Sequence, residues 1–214
     1  MCIRDRIRDV VALQRDCGLR TVTDGEFRRA SWHMDFIYGL EGVSKVVDET
    51  LHVQFRNESG TLEFAPPSLR VDGKVGLSET IFGDAFEFLR SVAGPEQTPK
   101  LTIPSPSMVH YRGGRAAIDA ELYPDLDEFW SDLTAAYAEQ VRRVATAGCS
   151  YLQFDDTSLA YLNDPAQREH VRAIGGDAEH QHEAYIRHIN EALAGRPDGL
   201  AVTTHMCRGN FRSS

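Results

Sequence analysis

Apolar positions recur at helical spacing most plainly over 125–147, where Leu126, Phe129, Trp130, Leu133, Ala136, Tyr137, Val141 and Val144 mark one face. Asp125 and Glu128 form a D-x-x-E capping arrangement after Pro124, and Gly148 stands where a C′ residue belongs. This spacing predicts an amphipathic helix with both ends signalled. The same period predicts helices over 79–93 and 177–194, and a shorter one over about 5–17 that stops at Gly18. Short apolar or β-branched runs at 19–23, 100–103, 151–154 and 200–204 each follow a helix after a brief break. That alternation predicts βα units feeding a parallel sheet. The stretch 40–78 breaks the rhythm. Its runs at 51–56, 61–64 and 68–71, around turn residues Asn57, Gly60, Asp72 and Gly73, read as an antiparallel insertion in an early βα loop.

Each expected strand leads into polar, chemically capable residues: Asp24-Gly25-Glu26 after the first, Pro104-Ser105-Pro106-Ser107 after the second, Asp155-Asp156-Thr157 after the third and His205-Met206-Cys207 after the fourth. In α/β barrels and open α/β sheets, ligands bind at the carboxyl ends of the strands. No Gly-rich phosphate turn of the dinucleotide-binding kind accompanies the strands, so the fold class expected is α/β, a TIM (β/α)8-type barrel. Four of the eight strands that closure requires are readable, which makes the barrel a partial one.

The chain has 214 residues, 42% hydrophobic and 26% charged, enough for one core and a single domain over 1–214. A formal charge of −9 gives it no basic field for nucleic acid or anionic lipid, so neither is expected as a partner. No apolar run reaches the roughly 20 residues of a membrane span, and the opening MCIRDRIRDV has no apolar signal core. A cytoplasmic protein acting on small molecules is the expectation. Four cysteines, at 2, 17, 149 and 207, contain no C-x-x-C pair, so each is a buried small residue or a ligand.

His205 and Cys207, two apart at a strand end, share a side and can reach one ion. Imidazole with thiolate is a zinc combination. The plainer alternative is a core histidine and a buried cysteine. Asp155 and Asp156 are adjacent on a strand and must face opposite ways, one toward the mouth of the sheet and one toward the next helix. Asp24 and Glu26 can share a face where a carboxylate holds a substrate ammonium; the alternative is a D-G turn with a solvated acid beside Arg28 and Arg29. His180, His182 and His188 lack metal-binding spacing and read as one solvated helix face. Trp32, Phe36 and Tyr38 could line a pocket for a flat ring, although aromatic stripes are more often core. Ser105 and Ser107 have no paired base and do not read as hydrolase nucleophiles.

The strings TVTDGEFRRASWHMDF, LTIPSPSMVH, YLQFDDTSLAYL and HMCRGNFRSS, in this order, resemble the catalytic barrel of cobalamin-independent methionine synthases, and most closely their shorter single-barrel relatives. The resemblance implies methyl transfer from 5-methyltetrahydrofolate, or its polyglutamate form, to the thiol of homocysteine. It implies His205 and Cys207 as two ligands of a catalytic zinc. Glu26 and Asp155 would hold the homocysteine amino group, and Ser105 would be a further substrate contact. Asp156 and Thr157 stand where that family usually has Glu and Pro. The family's remaining zinc ligands, a Glu and a Cys on later strands, and its first strand have no counterpart here. The resemblance therefore implies a piece of such a barrel, neither closed nor efficient by itself. Alternatives are a related zinc-thiol alkyltransferase of the coenzyme M type, and a metal- or thiol-binding barrel without turnover.

Overall fold

A computed structural model describes residues 2–46, 53–57, 60–64 and 68–207, with 53–57 and 60–64 described by their backbone. Positions 51 and 52 of the first expected insertion strand, and the tail 208–214 of the HMCRGNFRSS string, lie outside these residues. The elements run α1 (Ile3–Asp16), β1 (Thr21–Val22), α2 (Met34–Ile37), β2 (Glu41–Val46), β3 (Val53–Asn57), β4 (Gly60–Phe64), β5 (Ser68–Gly76), α3 (Gly83–Val92) and β6 (Thr98–Pro104). They continue with α4 (Ser107–His110), a 3-10 turn over Gly114–Ala117, α5 (Leu126–Thr146), β7 (Tyr151–Asp156), α6 (Ser158–Tyr161), α7 (Pro165–Ala173), α8 (Gln181–Leu193) and β8 (Ala201–Met206).

The four expected strands form one sheet in the order β1-β6-β7-β8, each pair parallel. Parallel neighbours joined through helices are the construction of a (β/α) barrel, of which this is a sector. Leu101, Ile103, Leu152 and Phe154 point to one side and are buried. α5 covers that side, with the Tyr137 ring edge-on to Phe154 at 6.1 Å. Tyr151, Gln153 and Asp155 alternate with them and are only half-buried. A smaller cluster of Ile7, Val11, Val22 and Leu89 ties α1 and α3 to β1.

α5 begins and ends close to where its signals place it. Asp125 caps it by accepting the Asp127 N–H at 2.9 Å. Glu128 does not close the expected capping box; it pairs with Lys74 at 2.6 Å instead. At the other end Gly148 takes φ +95°, and its N–H and that of Cys149 bond the Ala145 and Val144 carbonyls, a glycine C-cap.

The insertion is antiparallel, as expected, but its boundaries differ. β3 pairs with β4, with Asn57 opposite Gly60 closing the hairpin, and β5 pairs with β2, a strand that the pattern of apolar runs does not separate. Asp72 and Gly73 are not a turn: β5 runs through them to Gly76. The reason is a local register shift opposite Gly42, whose φ is +75° and where any Cβ would come 2.5 Å from the Gly73 carbonyl oxygen. The D-G pair serves that close approach.

The helix expected over 79–93 starts only at Gly83. Phe82 before it takes a left-handed backbone, φ 62°, and the Gln140 amide on α5 bonds both the N–H and the carbonyl of Ile81, at 3.0 and 2.8 Å. α7 is a helix that periodicity does not reveal, since Val171 is its one buried residue and leaves little apolar period to read. His188 does not lie on a solvated face: it is buried, stacked on Trp130 with ring centroids 4.3 Å apart. His110 is buried beside it, 2.9 Å from the Tyr185 hydroxyl, and burial holds its imidazole down to a pKa of about 4, with the nearby His188 acting in the same direction.

Candidate functional site

β1 delivers the chain to the site through a grip on its last residues. The Gln14 amide of α1 accepts from the Thr23 N–H at 3.0 Å and donates to the Thr23 carbonyl at 2.9 Å. Asp24 then accepts the Glu26 N–H at 2.9 Å, Gly25 takes φ 68°, and Glu26 itself takes φ 57°. A left-handed backbone costs a non-glycine residue about 1–2 kcal/mol. Here it turns Glu26 back over β6. Its Oε1 accepts from the Thr102 hydroxyl at 2.6 Å and from Arg29 Nη1 at 3.0 Å.

On β7, period-two alternation separates the adjacent aspartates as expected. Asp155 lies on the open side with Gln153, whose amide donates to its Oδ1 at 2.6 Å; Lys100 in turn donates to Gln153 at 3.2 Å. Burial raises the Asp155 pKa. The Gln153 hydrogen bond lowers it, the Glu26 charge raises it, and His205 and Arg29 lower it. Asp155 therefore sits in the field of Glu26, His205 and Arg29 together.

Asp156 points the other way and is fully buried. It accepts from the hydroxyls of Ser105, Ser107 and Ser158 and from the Leu159 N–H, which joins β6, β7 and α6. Ser105 thus lies on the Asp156 side of the strands, and its hydroxyl is not among Glu26, Asp155 and His205. Its backbone N–H bonds the Asp155 carbonyl at 3.0 Å.

β8 completes the arrangement. His205 is the register partner of Asp155 and is exposed, and the Cys207 N–H extends the ladder to the Asp156 carbonyl at 3.1 Å. Alternation sets His205 and Cys207 on one side. They suit zinc in kind, but zinc sites take three or four protein ligands. Among the described residues no group of three or more His, Cys, Asp or Glu side chains is placed to hold a metal. Glu26, Asp155 and His205 are brought together; Cys207 comes one step along the strand, and Ser105 stays beneath.

The aromatic segment after Glu26 is largely structural. Phe36 is buried against Tyr137 and Phe82, at 5.4 and 5.9 Å, and Tyr38 donates to the Ser68 carbonyl at 2.8 Å. Trp32 packs against His33. Arg29 is the site residue that motif spacing does not single out. Its i, i+3 relation to Glu26 was the available signal.

No protein-family profile matches the chain. Two curated Bacillus subtilis proteins do, the uncharacterized YxjH (43% identical over 209 residues) and YxjG (37% over 211). They are covered over 97% and 98% of this chain, which spans about half of their length, 53% in both cases. A Listeria monocytogenes structure provisionally named a vitamin-B12 independent methionine synthase superposes with TM-score 0.75 and 34% identity, over 98% of this chain and 55% of its own. By sequence and fold, the chain belongs with the B12-independent methionine synthase-like proteins. A second member, from Shewanella sp. W3-18-1 and solved with selenomethionine, matches with TM-score 0.64 over 97% of this chain and 52% of its own. At 20% identity that likeness concerns the fold. In this family's barrel the described sheet is the sector that carries Glu26, Asp155 and His205 at its strand ends.

Proposed function

We propose that the protein is a cytoplasmic methyltransferase that moves a methyl group from 5-methyltetrahydrofolate, or its polyglutamate form, to the thiol of homocysteine. The observation that carries this reading is the convergence of Glu26, Asp155 and His205 at neighbouring strand ends, in a chain of methionine synthase-like fold. Two carboxylates on one side suit a primary ammonium, and so favour an amino-acid thiol over a sulfonate such as coenzyme M.

In this reading Glu26 and Asp155 bind the ammonium of homocysteine and so fix the direction in which its thiol points. His205 and Cys207 are two of the ligands of a zinc, the others coming from outside the described residues. When bound, zinc lowers the pKa of a coordinated thiol and supplies thiolate at neutral pH. The sulfur forms its bond to the methyl carbon as the bond from that carbon to the folate N5 breaks, and the N5 left behind takes a proton. Ser105 contributes through the strand-end backbone it shares with Asp155.

The test is calorimetric titration of the full-length protein with L-homocysteine. Glu26→Gln removes a charge at constant size, and affinity is expected to fall by about 1–3 kcal/mol, the scale of a charged hydrogen bond, with zinc content unchanged. Cys207→Ser is expected to lose zinc. Unaltered homocysteine affinity in the first variant, or full zinc occupancy in the second, removes the corresponding assignment; binding without turnover supports the non-catalytic reading.

A further inference from the structure

Arg29 lies under the acceptor site with its side chain only 6% exposed. One nitrogen, Nη1, bonds Glu26 Oε1 at 3.0 Å, the Thr102 hydroxyl at 3.3 Å and the Trp32 carbonyl at 3.4 Å; the other, Nη2, bonds the Thr102 carbonyl at 2.8 Å. The flat guanidinium stacks on the Phe82 ring, 4.1 Å from its centroid. Among the described residues just two non-glycine positions have positive φ, Glu26 and Phe82, and both touch Arg29. Each unfavourable backbone turns one side chain onto the same cation, from opposite directions along the chain. Such conformations persist where the surroundings over-determine them, and they gather at functional sites.

We propose that Arg29, clamped by Phe82 and Thr102, is the positioning residue of the acceptor site, fixing Glu26 so that its second carboxylate oxygen is presented to the ligand ammonium. This rests on the reading of Glu26 and Asp155 as holders of that ammonium. Both side-chain bonds that Glu26 receives from described residues land on Oε1. The Glu26 side chain is one-third exposed, so without the clamp it has room to rotate into solvent. A lysine offers a point charge in place of a fork and cannot hold Glu26 and the Thr102 carbonyl in one rigid plane. Every atom of the clamp comes from β6, the segment after β1 and the turn before α3. It therefore forms without the zinc ligands.

The experiment compares two probes on the full-length protein, L-homocysteine and 4-mercaptobutyrate, which carries the same thiol and carboxylate without the amine. The wild type is expected to prefer homocysteine. In Arg29→Met the preference should fall about tenfold, the scale of one lost charged hydrogen bond, while 4-mercaptobutyrate binds as before. Arg29→Lys should recover part of the preference. Phe82→Leu, which leaves every hydrogen bond in place, should lower it in the same sense and provides the reading if Arg29→Met does not fold. An unchanged preference in these variants, or equal losses for both probes, overturns the proposal and assigns Arg29 a packing role. A wild type without preference removes the acceptor reading itself, and this inference with it.

Discussion

Asp155 and His205 face one another across the parallel ladder between β7 and β8, while Asp156, one residue on from Asp155, is buried on the opposite side under three serine hydroxyls. Two adjacent carboxylates thus carry separate duties. Asp156→Ala strips the acceptor from those hydroxyls and from the Leu159 N–H, and is expected to lower unfolding stability by about 3 kcal/mol. Asp155→Asn keeps shape and relieves a carboxylate whose burial is unfavourable, so no stability should be lost while affinity for the amino-acid thiol falls. Denaturant unfolding of the two variants side by side measures this; equal destabilisation by both would contradict the division.

Gln140 is fully buried on α5 and spends its amide on both backbone groups of Ile81. Gln140→Leu has similar bulk and neither donor nor acceptor. It should cost about 1–3 kcal/mol by leaving those groups unpaired. Urea midpoints with an unchanged m-value would report it. A variant as stable as the wild type would mean that the Ile81 turn finds water instead.

Acid should weaken the fold through His110, held neutral to a pKa of about 4 chiefly by burial, against 6.5 for an ordinary imidazole. The unfolded chain binds this proton first, so the contribution is complete above pH 6.5 and is lost as pH falls toward 4. Integrated over that window it amounts to on the order of 3 kcal/mol. His110→Asn is expected to flatten the decline in stability between pH 7 and pH 5. A slope identical to the wild type would show that other groups dominate the decline. His33 is held to about 4 by burial, with Arg112 adding to the effect, and contributes in the same direction.

Gly42→Ala should be among the most damaging single substitutions in the insertion. The new methyl group meets the Gly73 carbonyl oxygen at 2.5 Å on a backbone already at φ +75°. Hydrogen exchange confined to the β2 and β5 amides would detect the opening, and unchanged protection there would mean that the bulge can move aside.

How legible these features were depends on how local their causes are. α5 and the four parallel strands announce themselves because each buries a face at its own period, and the strand-end residues come directly after. The position of Phe82 was not legible, since its left-handed backbone answers to Gln140, 58 positions later in the chain. α7 carried a start signal, Asp164 capping the Ala166 N–H with Pro165 at the first turn, yet lacked the apolar stripe that would have called attention to it. His188 looked solvated because its helix is polar on either side, and the Trp130 ring that covers it comes from α5. In the site, the alternation of Asp155 and Asp156 was readable from strand geometry alone. That Arg29 is an interior cation was not, because beside Arg28 it looked like one half of a surface pair.

The two-sided character of β7 also dictates how the chain can vary. Leu152, Phe154 and Asp156 answer to the packed layer, whereas Tyr151, Gln153 and Asp155 answer to whatever occupies the mouth of the barrel. A saturation library across these six positions should consequently split into two interleaved classes, one purged for yield of folded protein and the other for performance on the ligand. Along this strand, evolution could retune the chemistry at every second residue while leaving the scaffold alone.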